Sequence, residues 1–143
     1  MSTLTVEMQW KDGLRFEGTN PWGHRLVTDA PAASGGGEEG FKPTELLLYG
    51  VAACTGVDIV RILEKRRQKL TSLSIRVEAD QRDDYPKPFH TVRVHYVATG
   101  EDLDEAALAK AIELSEGKYC VVSQTLQEPA EVTTSYEVVG RAD

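Results

Sequence analysis

One stretch limits what this chain can fold into. From Leu46 to Leu63 only Thr55, Asp58, Arg61 and two glycines interrupt an apolar run, and Pro43 stands three residues ahead of it. A helix that is apolar on nearly every side must be buried on nearly every side. Proline suits the first turn, where its missing N–H costs nothing. Glu64 to Lys69 then turns polar and mostly basic, which suits the negative end of a helix dipole. The pattern predicts a central helix over residues 43–70. A chain of 143 residues has little left to wrap such a helix. A second copy could supply the missing wall, so a homodimer is expected.

The run is long enough to reach across a bilayer. Asp58 and Arg61 within it, and polar sequence on both sides, point instead to a buried helix of a soluble protein. The N-terminal Met1 to Met8 has no basic region followed by an apolar core, so no signal peptide is expected and the cytoplasm is the expected compartment. A net charge of −7 argues against binding nucleic acid or anionic lipid, since neither polyanion would be attracted. The basic run of residues 64–69 reads as a solvated helix end.

Around the helix, periodicity of two marks strands. Leu4, Val6, Met8 and Trp10 alternate with polar residues, and Asp12-Gly13 is a strong turn dipeptide. Leu14–Gly18 and His24–Thr28 complete a three-stranded antiparallel meander. Residues 29–40, with Gly35-Gly36-Gly37, read as a flexible connector. After the helix, Leu73–Ala79 and Val92–Tyr96 read as a hairpin. Residues 102–116 form a helix with acids in its first turn, ended by Gly117. Cys120–Glu128 reads as a short helix stopped by Pro129, and Val132–Val139 as a final strand. The order βββ-α-ββ-αα-β, rich in hairpins, is an α+β class. Residues 1–143 form one domain, with meander and Gly-rich loop in 1–42 and the α+β body in 43–143.

The chemistry rests on two cysteines. Cys54 lies inside the apolar helix, where a free cysteine often serves as a small hydrophobe. Cys120 follows Lys118 at a helix start, where the dipole and a lysine favour thiolate. An attacking and a resolving thiol fit the pair as well as packing does. Asp58 sits one helical turn after Cys54 and could carry a proton or simply be a paired buried acid. Glu45, nine residues before Cys54, is half a revolution away and reaches it only through a third group or another subunit. His24, His90 and His95 are dispersed and read as structural or surface residues, although His24 precedes the loop. No zinc-type Cys/His spacing and no phosphate loop is present in the sequence.

Lys42-Pro43-Thr44-Glu45-Leu46, Ala52-Ala53-Cys54 and Lys118-Tyr119-Cys120-Val121-Val122-Ser123 together resemble the OsmC/Ohr family, over essentially the whole chain. The resemblance implies intertwined homodimers with their central helices packed together. It also implies reduction of organic hydroperoxides without metal or cofactor, with recycling by a dithiol or a lipoylated protein. Cys54 would attack and Cys120 would resolve, with Glu45 in the site. Three features depart from the peroxidase pattern: Thr44 stands where those members carry glutamate, Val121 where proline is usual, and no arginine is clearly placed to hold the thiolate. Lys11, Arg15 and Arg25 are the candidates. The pattern is closer to the OsmC-like branch than to the hydroperoxide reductases. A rival reading is a binder of small hydrophobic ligands, with the cysteines as sensors.

Overall fold

The computed structural model describes residues 1–140. Its strands and helices run β1 (Gln9–Asp12), β2 (Arg15–Thr19), β3 (Arg25–Thr28), α1 (Pro43–Lys65), β4 (Lys69–Gln81), β5 (Phe89–Glu101), α2 (Glu105–Leu114) and α3 (Val121–Gln127). The first three strands form one antiparallel sheet, and β4 and β5 form a second. This is the α+β class expected from the sequence.

The N-terminal sheet is held by its turns. Gly13 adopts a left-handed φ of 49°, which the Asp12-Gly13 turn requires. The Trp10 indole N–H donates to the Gly13 carbonyl at 2.9 Å. The Asn20 side chain accepts from the N–H groups of Trp22 and His24, which fixes the second turn. The first strand is shorter than its alternation predicts. Leu4 and Val6 lie outside it and are exposed, although Glu7 and Met8 still lie against Gly18 of β2. The loop of residues 29–40 is organised rather than a loose connector. Buried Asp29 accepts hydrogen bonds from the N–H groups of Ala30, Gly37 and Glu39. Those bonds, led by Ala30, hold its carboxyl below the usual carboxylate range.

α1 begins at Pro43 as expected but ends at Lys65, five residues early. Arg67 turns into left-handed φ, and the Gln68 N–H bonds back to the Leu63 carbonyl. Lys69 and Leu70 therefore belong to β4. Val51, Thr55, Ile59 and Leu63 form the buried stripe of α1. Ile59 and Leu63 meet Ala107 and Ala111 of α2 in the core, with Leu73 and Tyr96 packed alongside. Gly56 lets the helix approach β4, since a Cβ there would stand 3.0 Å from Ile75 Cδ1. The β4–β5 hairpin is longer than its apolar alternation and pairs Ile75 with Tyr96. Asp104 caps α2 by accepting from the Ala106 N–H at 3.1 Å.

The expected final strand is absent: residues 129–140 have no regular structure. Val132, Tyr136, Val138 and Val139 are all exposed. Alternation alone does not form a strand: an edge must be paired, and residues 129–140 pair with none of the open edges of the two sheets.

Candidate active site: two thiols and a carboxylate

Three side chains from different parts of the sequence converge beside α1. Cys54 and Asp58 stand one turn apart on that helix, and Cys120 caps the N-terminus of α3. The two Sγ atoms and a carboxylate oxygen of Asp58 lie within 4.8 Å of one another. Cys120 is fully buried, whereas Cys54 and Asp58 are partly accessible. The cysteines are free thiols.

Cys120 is delivered by an unusual piece of backbone. Residues 115–119 form a π-type turn between α2 and α3, closed by the Cys120 N–H to the Ser115 carbonyl at 2.8 Å. Such wide turns occur often at functional sites. The turn buries Ser115 completely and aims its hydroxyl at Asp58, donating to Oδ2 at 2.8 Å. Glu116 in the same turn accepts from the Tyr96 hydroxyl at 2.9 Å. Burial, and then the Glu116 carboxylate, push the Tyr96 phenol up to about 12, while a hydrogen bond with Thr55 acts the other way. Ser115, Tyr96 and Glu116 were not singled out from the sequence. The glycine at 117 signalled only a helix end.

The start of α3 serves both sulfurs. Cys120 Sγ accepts from the Ser123 N–H at 3.4 Å. The backbone amides of Val122 and, to a lesser degree, Val121 favour the Cys54 thiolate. Burial outweighs them, and the neighbouring Cys120 side chain adds to burial, so the Cys54 thiol is pushed above its usual value. The sequence assigned the helix start to Cys120 alone; its amides also reach Cys54. Lys118 lies over the Tyr119 ring, with Nζ 5.3 Å from the centroid.

The other named candidates lie elsewhere. Glu45 is partly buried and borders a hollow with Leu48, Tyr49, Ala52, Ile75 and Val77. It makes no hydrogen bond or ion pair with either cysteine among the described residues. Arg15 is taken up by Asp12, Glu17 and Glu39, and Arg25 by Glu17. Lys11 is exposed on β1 and makes no ion pair among the described residues. His24, His90 and His95 are exposed. A groove of about 760 Å³ runs between α1, β5 and α3, walled by Leu47, Val51 and Leu126 together with Lys87, His90 and Glu116; neither cysteine lines it.

The central helix of this α+β domain sets one thiol against a second at a later helix start. The chain belongs to the OsmC-like family: residues 35–135 match the model of the family described as OsmC-like protein. It is similar to Protein YhfA of Escherichia coli K12, with 33% identity over 136 residues, covering 95% of this chain and 98% of the relative. A hypothetical protein of Aquifex aeolicus VF5 is 31% identical, with 90% of each chain covered and a TM-score of 0.78. The organic hydroperoxide resistance protein OsmC of Legionella pneumophila shares the fold at 22% identity, with 90% and 93% of the chains covered and a TM-score of 0.60.

Proposed function

We propose that this protein reduces organic hydroperoxides with Cys54 as the attacking and Cys120 as the resolving thiol. The observation that carries this reading is the separation of the two sulfurs, no more than 4.8 Å. A disulfide needs about 2.05 Å, a gap that side-chain rotation with a small backbone adjustment at the π-type turn can close. The Legionella protein's name and the family's fold support the same assignment.

In the cycle, the Cys54 thiolate attacks the terminal peroxide oxygen and the O–O bond breaks. The leaving alkoxide takes a proton and departs as an alcohol, leaving Cys54 as a sulfenic acid. Cys120 then attacks that sulfur as a thiolate, water leaves, and a disulfide remains. A dithiol or a lipoylated protein reopens it by exchange. Asp58, held by Ser115, is the carboxyl group near enough to pass protons between the sulfurs. Such a cycle needs a reducing compartment, in keeping with the cytoplasm. Glu45 enters this site only if a neighbouring copy brings it there.

The working unit of this reading is a homodimer. A compact monomer of 15.8 kDa exposes roughly 7,300 Å². This chain exposes 11,624 Å². Tyr49, Val57 and Val60 leave a stripe of α1 open to solvent, opposite its buried face. A second α1 packed there, and partner edges for residues 1–8 and 129–140, would account for the excess.

Incubation with cumene hydroperoxide and a dithiol should consume peroxide, and Cys54→Ser should stop it. Equal consumption by Cys54→Ser would end the assignment.

A further inference from the structure

Two thiols and a carboxylate meet here with no cation among them. Asp58 forms no ion pair among the described residues, and Ser115 Oγ is its hydrogen-bond partner. We propose that the reduced Cys54–Asp58–Cys120 cluster binds one thiophilic divalent cation, zinc by its donor set, and surrenders it when the thiols are oxidised.

The geometry suits a tetrahedral ion. Zinc bonds of roughly 2.0–2.3 Å to sulfur and carboxylate oxygen put neighbouring donors roughly 3.3–3.8 Å apart. Donor atoms already within 4.8 Å need approach by about 1.5 Å at most, a matter of side-chain rotation. The i, i+4 spacing places Cys54 and Asp58 on one helix face, and the cap of α3 brings Cys120 across from it. Two of the donors also have outer partners of the kind that orients metal ligands: the Ser115 hydroxyl holds Asp58, and the Ser123 N–H meets Cys120 Sγ. Two soft sulfurs select zinc over magnesium or calcium. Three protein donors leave a fourth position for water.

Binding releases the thiol protons, and the ion then occupies the sulfur lone pairs that would attack peroxide. Disulfide formation takes both sulfurs from the ion and leaves Asp58 alone, too little to hold it. Zinc would therefore bind the reduced state and silence it. Only this silencing rests on the peroxidase reading; the binding does not.

The test uses the whole protein, freed of metal and kept reduced with a phosphine, titrated with zinc against a chromophoric chelator. One zinc per chain should be retained by the reduced protein and none by the disulfide form. Asp58→Asn should weaken retention by at least about tenfold, and Cys120→Ser should abolish it, with circular dichroism reporting whether each variant folds. Cobalt(II) in place of zinc should give the intense thiolate charge-transfer absorption of a tetrahedral site. Ser115→Ala, which keeps all three donors, should weaken binding less than Asp58→Asn does. No zinc retained by the reduced parent protein, or equal retention by a Cys54→Ser/Cys120→Ser variant, overturns the proposal. Peroxide turnover measured without metal separates the two readings: turnover without zinc binding leaves the peroxidase standing and the metal site refuted. Zinc binding without turnover does the reverse.

Discussion

The N-terminal sheet and the thiol site treat charge in opposite ways. In the sheet, Arg15 and Arg25 converge on Glu17, and Arg15 also reaches Asp12 and Glu39. Every guanidinium there has a carboxylate. At the site, two thiols and Asp58 have a hydroxyl and backbone amides but, among the described residues, no cation. The comparison shows that a chain can bring two thiols together without placing beside them, among the described residues, a cation that would ionise them.

The largest effect expected is at the thiol itself. Cys54→Ser should reduce dithiol-dependent peroxide consumption to background, whereas Cys120→Ser should allow one turnover and stop at a sulfenic acid that dimedone traps. Next comes the open stripe of α1. Val57→Glu places a charge where the homodimer account buries apolar surface, so analytical ultracentrifugation should find monomer in place of dimer; an unchanged dimer moves the seam elsewhere. In the core, Ile59 is fully buried. Ile59→Ala should therefore cost about 2–5 kcal/mol by denaturant unfolding of the assembled protein, from lost burial and the cavity left behind.

The comparison itself is sharpened by pH. Burial raises the Cys54 thiol, so its alkylation rate should climb with a midpoint above the ordinary 9.0. The sign for stability follows. As pH rises past the unfolded thiol's value, the unfolded chain loses a proton that the native chain still holds, so stability falls with pH there. A midpoint below 9.0 would mean that a cation, from a second copy or a rearranged loop, reaches the sulfur. The smallest effect expected is at Arg15: Arg15→Met should leave the Cys54 midpoint where it is, because that guanidinium is committed to three carboxylates. A shift upward would identify Arg15 as the missing cation.

Legibility in the sequence followed how local each cause was. Pro43 and the apolar run announced α1, and alternation around Ile75 and Tyr96 announced the hairpin, because both signals lie within the elements they describe. The end of α1 was misjudged because Arg67 leaves the helix through left-handed φ, a backbone choice that a basic run does not advertise. Val132–Val139 alternates like a strand, yet a strand also needs a paired edge, and no edge of the two sheets pairs with it. The Cys54–Asp58 pair was visible as i, i+4. Its pairing with Cys120 is legible from the residues as one of two readings, a reactive pair or packing, with the roles implied by the resemblance; the role of Ser115 depends on a π-type turn with no sequence signature of its own. Scanning for zinc spacing missed the three donors for the same reason, since the third arrives 66 residues after the first.

The most direct test of the central claim is peptide mapping after one equivalent of cumene hydroperoxide, with no reductant present. A linked peptide pair containing Cys54 and Cys120 within one chain, formed together with one equivalent of alcohol, is the predicted result. Cys54 overoxidised to sulfinic acid beside a free Cys120 thiol would contradict it, as would both thiols surviving with the peroxide unspent.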